Sequence, residues 1–312
     1  MNAPTPAPAS GFLLDVGDGH QIYAERHGPQ GPIAALFLHG GPGSGCQPGH
    51  LALFDTTVQQ VVMLDQRGAG RSRPKGARHA NTTAHLIADI ERLRTHLGIA
   101  QWVLVGGSWG ATLALAYATT HPDRVQSIVL RATFLGTRAE LDWAFGTGLA
   151  HFHPGLHADF LAQLPDDERA DPLAAYWRRI EHPDPAIHLP AARAWHDTER
   201  MLSQHRPMAQ RLDTHAIHTC PIPSTPFMEA HYFAHDCFLE TPLLDACHRL
   251  HGIPGVIVQG RYDLLCPPKS AFALAARWPD AQIQMVEGAG HTMGDPGITE
   301  AVTDAIARMM AL

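Results

Sequence analysis

The chain has 312 residues, 45% of them apolar and 17% charged, with a formal net charge of −7. That length supports a large hydrophobic core, and the charge balance argues against nucleic acid or an anionic membrane surface as a partner, since both need clustered Lys and Arg. Five cysteines (Cys46, Cys220, Cys237, Cys247 and Cys266) are odd in number and widely spaced, so neither a disulfide framework nor a C-x-x-C zinc or redox site is expected.

The opening MNAPTPAPASG has no positive n-region and no apolar h-region, and residues 1–11 read as a short extended tail. No run of about 18 apolar residues follows, so no membrane span and a cytoplasmic location are expected. Phe12–Val16 and His20–Arg26 flank Gly17-Asp18-Gly19 and read as a hairpin. Ile33–Leu38 and Gln60–Leu64 are short apolar runs of the kind buried on both faces of a parallel sheet. A periodic stretch over Ala84–Leu97, with Asn81-Thr-Thr before it and Gly98 behind, reads as a capped helix. Gln101–Val105, Trp109–Thr119 and Val125–Leu130 continue the strand–helix–strand alternation.

After about Phe134 the texture becomes helical in period and rich in His, Trp and Pro. Alternation resumes with Gly255–Gln259, a helix near Lys269–Arg277, the strand Gln282–Val286 and a closing helix near Thr299–Met310. The expected fold is α/β, of the α/β-hydrolase type: a mostly parallel sheet with helices on both faces. Residues 12–135 and 247–312 form its catalytic core, and 136–246 an all-helical cap over the crevice where open α/β sheets bind ligands. No feature sets an oligomeric state.

Gly106-Gly107-Ser108-Trp109-Gly110 fits G-x-S-x-G between a strand and a helix, the context a nucleophile elbow requires. His39-Gly40-Gly41-Pro42-Gly43 follows another strand, and the backbone N–H groups of Gly41 and Trp109 are the candidate oxyanion hole. No Gly-Lys-Ser/Thr follows, which removes a phosphate-loop reading. The acid and then the histidine should come later in the chain. Asp263 and His291 each lie in a loop just past a strand, so Ser108, Asp263 and His291 are the expected nucleophile, orienting acid and general base. Serine at 108 rules out the carboxylate nucleophile of haloalkane or epoxide chemistry. His231-x-x-x-His235 has metal-compatible helical spacing but is not H-E-x-x-H and has no evident third ligand, so neither metal nor cofactor is expected.

These segments, with Asp65-Gln-Arg-Gly-Ala-Gly-Arg-Ser72, Ala194-Trp195 before Glu199, and Glu229-Ala-His-Tyr-Phe233, resemble the proline iminopeptidases over nearly the whole chain. The resemblance implies release of N-terminal proline from small peptides, with Glu199 and Glu229 holding the charged amino group. It also implies an aromatic pocket for the ring, from Phe134, Phe233 and Phe145. A broader esterase or amidase on the same scaffold is the alternative, because fold and triad do not fix substrate. Thr198, Ala230 and Ser44 depart from the family pattern, and the first two are expected to enlarge the pocket and relax proline selectivity. Cys266, three residues past Asp263, is expected to inhibit when modified by a bulky thiol reagent, through displacement of the acid loop.

Overall fold

The structure, a computed structural model, describes residues 10–205, 209–213 and 221–312; Cys220 and nearly all of the expected tail lie outside them. Strands β1 (Ser10–Gly17) and β2 (His20–His27) pair antiparallel around Asp18 (φ 54°) and Gly19 (φ 76°). Two successive left-handed residues give the turn whose twist matches a hairpin. The short apolar runs become β3 (Ile33–Leu38), β4 (Val61–Asp65), β5 (Gln101–Ser108), β6 (Val125–Thr133), β7 (Gly255–Gly260) and β8 (Ala281–Val286). All eight form one sheet in the order β1-β2-β4-β3-β5-β6-β7-β8. Strand β2 is antiparallel to β4, and every pair from β4 to β8 is parallel. The chain leaves β3 for β4 on one side and returns to β5 on the other. That reversal opens a crevice at the carboxyl ends of β3 and β5, where the His39 and Ser108 loops emerge.

Helices α1 (Pro48–Leu51), α2 (Thr83–Leu97) and α3 (Trp109–Thr120) precede β6. Thr82 caps α2 by accepting from the His85 N–H, and Gly98 ends it at φ 66°. Helix α3 is buried from Trp109 to Thr119, which explains why it is apolar on every face. The described chain between β6 and β7 is helical: α4 (Arg138–Asp142), α5 (Gly148–Phe152), α6 (Pro154–Ala162), α7 (Pro172–Ile180), α8 (Pro185–Ser203), α9 (Thr225–Phe233) and α10 (Leu243–Ala246), with short 3-10 and π turns between them. Helices α11 (Pro268–Ala275) and α12 (Ile298–Met310) complete the chain.

One carboxylate fastens the exit from β6 to both sides. Glu140, in a capping box with Thr137, accepts from the Leu135 N–H at 3.0 Å, from Thr137 N–H at 3.1 Å and from Ser270 Oγ of α11 at 2.6 Å. The helical segment has its own aromatic core. Phe160 stacks on Tyr176 at 4.1 Å, Phe145 stacks on Trp195 at 4.0 Å, and Trp177 and Phe233 close around Trp195.

Candidate active site

Ser108 sits at φ 56°, ψ −125°, a conformation costly for a residue with a side chain. The neighbouring glycines make the bend possible by what they omit. A Cβ on Gly106 would collide with the Gly110 carbonyl, and one on Gly110 with the Leu38 carbonyl. At Gly107 a Cβ would stand 2.6 Å from Arg131 Nη2. The G-G-S-W-G sequence is therefore demanded by close packing of β3, β5 and α3.

The loop after β3 approaches the elbow from the other side of the crevice. Gly40 lies so near that a Cβ there would be 3.3 Å from the Gly107 carbonyl, and Gly41 (φ 106°) turns the chain back. Gln66 locks this loop: its N–H donates to His39 Nε2 at 3.1 Å, its Nε2 donates to the His39 carbonyl at 3.0 Å, and its Oε1 accepts from Trp109 Nε1 at 2.9 Å. Since His39 Nε2 accepts, the ring's proton is on Nδ1, which donates to the Gly40 carbonyl at 2.9 Å. Burial lowers the His39 pKa, so this ring is a neutral strut.

Asp263, past β7, is fully buried and accepts from the backbone N–H groups of Leu265 at 3.1 Å and Cys266 at 2.8 Å. His291, past β8, points Nδ1 at both carboxylate oxygens of Asp263, at 3.0 and 2.9 Å. A proton on Nδ1 leaves Nε2 as the basic nitrogen. Ser108, His291, Gly40, Gly41, Ser44, Arg131, Glu199 and Glu229 line one cavity of about 360 Å³. Among the described residues Ser108 forms no hydrogen bond with His291; the polar neighbour of its hydroxyl is the Cys266 thiol, whose pKa burial pushes well up.

Helices α8 and α9 bring Glu199 and Glu229 to the roof of this cavity. Glu229 is fully buried; its Oε2 accepts from Trp195 Nε1 at 2.7 Å and its Oε1 has no partner. Neither glutamate forms an ion pair among the described residues. Burial raises the pKa of both, and the charge of Glu199 pushes Glu229 further up. Two such carboxyls cannot both ionise cheaply.

Phe134 and Phe233 meet edge to face at 5.7 Å, and Phe145 lies against Trp195 in the aromatic core beside the acids. Thr198 and Ala230 are fully buried. His231 and His235 are spent on backbone contacts, with the Asn81 and His231 carbonyls, and no group of three metal-ligating side chains occurs among the described residues. Arg131 and Gln66 were not anticipated as site residues. For Arg131 the signal was present, as a lone cation inside the apolar run Val125–Ala132 of a central strand.

The Asp65–Ser72 segment turns out to be scaffolding. Asp65 accepts from Cys46 N–H at 2.6 Å and from Arg71 N–H at 2.9 Å, and Arg67 makes a buried two-pronged pair with Asp89 at 2.6 and 2.9 Å. No helix among the described residues is long and apolar enough to cross a membrane.

A family model described as alpha/beta hydrolase fold matches residues 35–296. A probable proline iminopeptidase of Leptolyngbya boryana is 40% identical over 314 residues, covering 99% of this chain and 96% of its own. The proline iminopeptidase of Neisseria meningitidis serogroup A is 40% identical over 300 residues, covering 95% of this chain and 94% of its own. Among solved structures, the proline iminopeptidase of Mycobacterium smegmatis matches with a TM-score of 0.60 at 20% identity, covering 97% of this chain and 98% of that one, a likeness of fold. With this sheet order and these relatives, the chain is a hydrolase and belongs to the proline iminopeptidase family of the α/β-hydrolase fold.

Proposed function

We propose that this chain is a serine aminopeptidase that releases N-terminal proline from small peptides through a prolyl-enzyme intermediate. The observation that carries this reading is the pair of buried acids, Glu199 and Glu229, in the cavity that holds Ser108 and His291. An enzyme that removes one residue must measure from the substrate's ammonium group. A carboxylate pair that forms no ion pair among the described residues suits that group, and a charge-assisted contact there is worth roughly 1.5–3 kcal/mol. In this reading residues 136–246 act as a cap that carries the measuring acids, and 12–135 with 247–312 form the core that carries the chemistry.

Ser108 Oγ attacks the prolyl carbonyl carbon while His291 Nε2 takes the hydroxyl proton. Asp263 holds the Nδ1–H tautomer and stabilises the imidazolium. The Gly41 and Trp109 N–H groups receive the developing oxyanion, and losing one such donor typically costs ~3–4 kcal/mol of barrier. His291 then protonates the departing amine; in the second half it takes a proton from water as the water attacks the prolyl ester, and returns it to Ser108 Oγ as proline leaves. The Ser108–His291 hydrogen bond tightens as substrate binds, as catalytic hydrogen bonds commonly do in the Michaelis complex.

The test compares prolyl amides carrying a free nitrogen with the same amides N-acetylated. Hydrolysis of the free form with near-complete loss on acetylation is expected. Equal rates on both would identify an esterase or amidase that ignores the amine.

A further inference from the structure

We infer that Arg131 is a positioning residue that fixes the backbone of His291 against the nucleophile elbow. This rests on the proposed roles of Ser108, His291 and Asp263. Arg131 ends the central part of β6, one residue before Ala132 turns to φ 49°. Its Nη1 donates to the His291 carbonyl oxygen. The guanidinium also packs against Gly107, close enough that an added Cβ would be 2.6 Å from Nη2 and 2.8 Å from Nε. One rigid planar group thus spans the residue before the nucleophile and the backbone of the general base, two loops 184 positions apart in sequence number from Gly107 to His291 (291 − 107).

The charge has a role beyond the contact. Arg131 forms no ion pair among the described residues, and the nearby carboxylate whose field acts on it is Asp263. His50 and Arg200 line the same cavity; burial holds His50 down to about 4, and Arg200 pairs with Asp197, so Arg131 is the cation beside the elbow. The side chain also lines a second space of about 50 Å³, with Gly106, Gly107, His50 and Met293. A neutral side chain there would release the His291 carbonyl.

The geometry makes a specific kinetic demand. Glu199 and Glu229, which hold the substrate, sit on other elements, so Arg131 should affect the chemical step and leave binding intact. In Arg131→Met, kcat should fall roughly 100-fold, the order seen when a catalytic group is misplaced by about 1 Å, with KM within about threefold of wild type. Arg131→Lys, which keeps the charge but not the planar fork, should recover part of the loss. The rate of Ser108 labelling by a fluorophosphonate, which needs no peptide recognition, should fall in parallel. Labelling of both variants at the wild-type rate would overturn the inference while leaving the Ser108 assignment intact. Failure of the wild-type enzyme to label at Ser108 would instead overturn the catalytic reading beneath it. A loss confined to KM would also refute the positioning role. If Arg131→Met does not fold, Arg131→Lys decides alone: unchanged kcat and labelling refute the inference, and a reduced kcat at constant KM supports it.

Discussion

Replacing Glu229 by glutamine should make the protein more stable and the enzyme worse, with both effects traceable to the same atoms. Glu229 Oε1 is buried without a partner, and its Oε2 has only Trp195 Nε1 at 2.7 Å. Leaving a buried polar atom unsatisfied costs about 1–3 kcal/mol. Glutamine keeps the size, removes the charge facing Glu199 and adds a donor toward it, so a gain of about 1 kcal/mol or more is expected. At this chain length that corresponds to roughly 2–4 °C in Tm per kcal/mol. The gain should depend on pH. Burial raises both folded-state pKa values above the ordinary 4.5 of glutamate. The native state therefore keeps protons that the unfolded chain releases as pH climbs through the mid-4s, and wild-type stability declines as pH rises above that point. Below it both chains are protonated at this pair, and Glu229→Gln should melt close to wild type; at pH 8 it should melt higher. Activity moves the other way: loss of a charge-assisted contact worth roughly 1.5–3 kcal/mol lowers kcat/KM for a prolyl amide about 10- to 150-fold. Thermal melts at pH 3.5 and 8, with kinetics at pH 8, decide the matter. A variant that melts below wild type at pH 8, or that keeps full kcat/KM, refutes the reasoning.

Two further outcomes follow from the packing. Phe145→Leu keeps an apolar group but removes the 4.0 Å stacking that steadies Trp195, and through it Glu229. Such aromatic pairs are worth about 0.5–1.5 kcal/mol, so KM for the prolyl substrate should rise about 2- to 12-fold with kcat little changed, read from initial rates. Asp89→Ala strips Arg67 of a partner in a pair whose side chains are 2% and 3% exposed. Denaturant unfolding should show a loss of about 3–5 kcal/mol, and a loss under 1 kcal/mol would mean that the pair's desolvation cancels its attraction.

The parts of this molecule that repeat with a period were legible before any coordinates. Strands such as Ile33–Leu38 are continuous apolar runs because both faces are covered, and Trp109–Thr120 is apolar all round because it is buried on every side. The elbow could be placed because its glycines answer a local demand for missing Cβ atoms. What stayed hidden is what three dimensions bring together. Nothing in the spacing of Gln66, His39 and Trp109 shows that one amide side chain will brace two loops. Arg131 announced itself only as a misplaced charge in a strand. The three phenylalanines show another limit: sequence likeness could match them by type, but it could not show that Phe134 meets Phe233 edge to face or that Phe145 stacks on Trp195.

The proposed reaction passes through a covalent bond between substrate and the residue-108 oxygen. Rapid acid quenching during turnover of a prolyl ester, followed by mass analysis of the digested protein, tests it directly. One prolyl group should be found on the peptide containing Ser108, and none on the Ser108→Ala protein, which should also be inactive. A prolyl adduct on another residue, or continued turnover by Ser108→Ala, would contradict it.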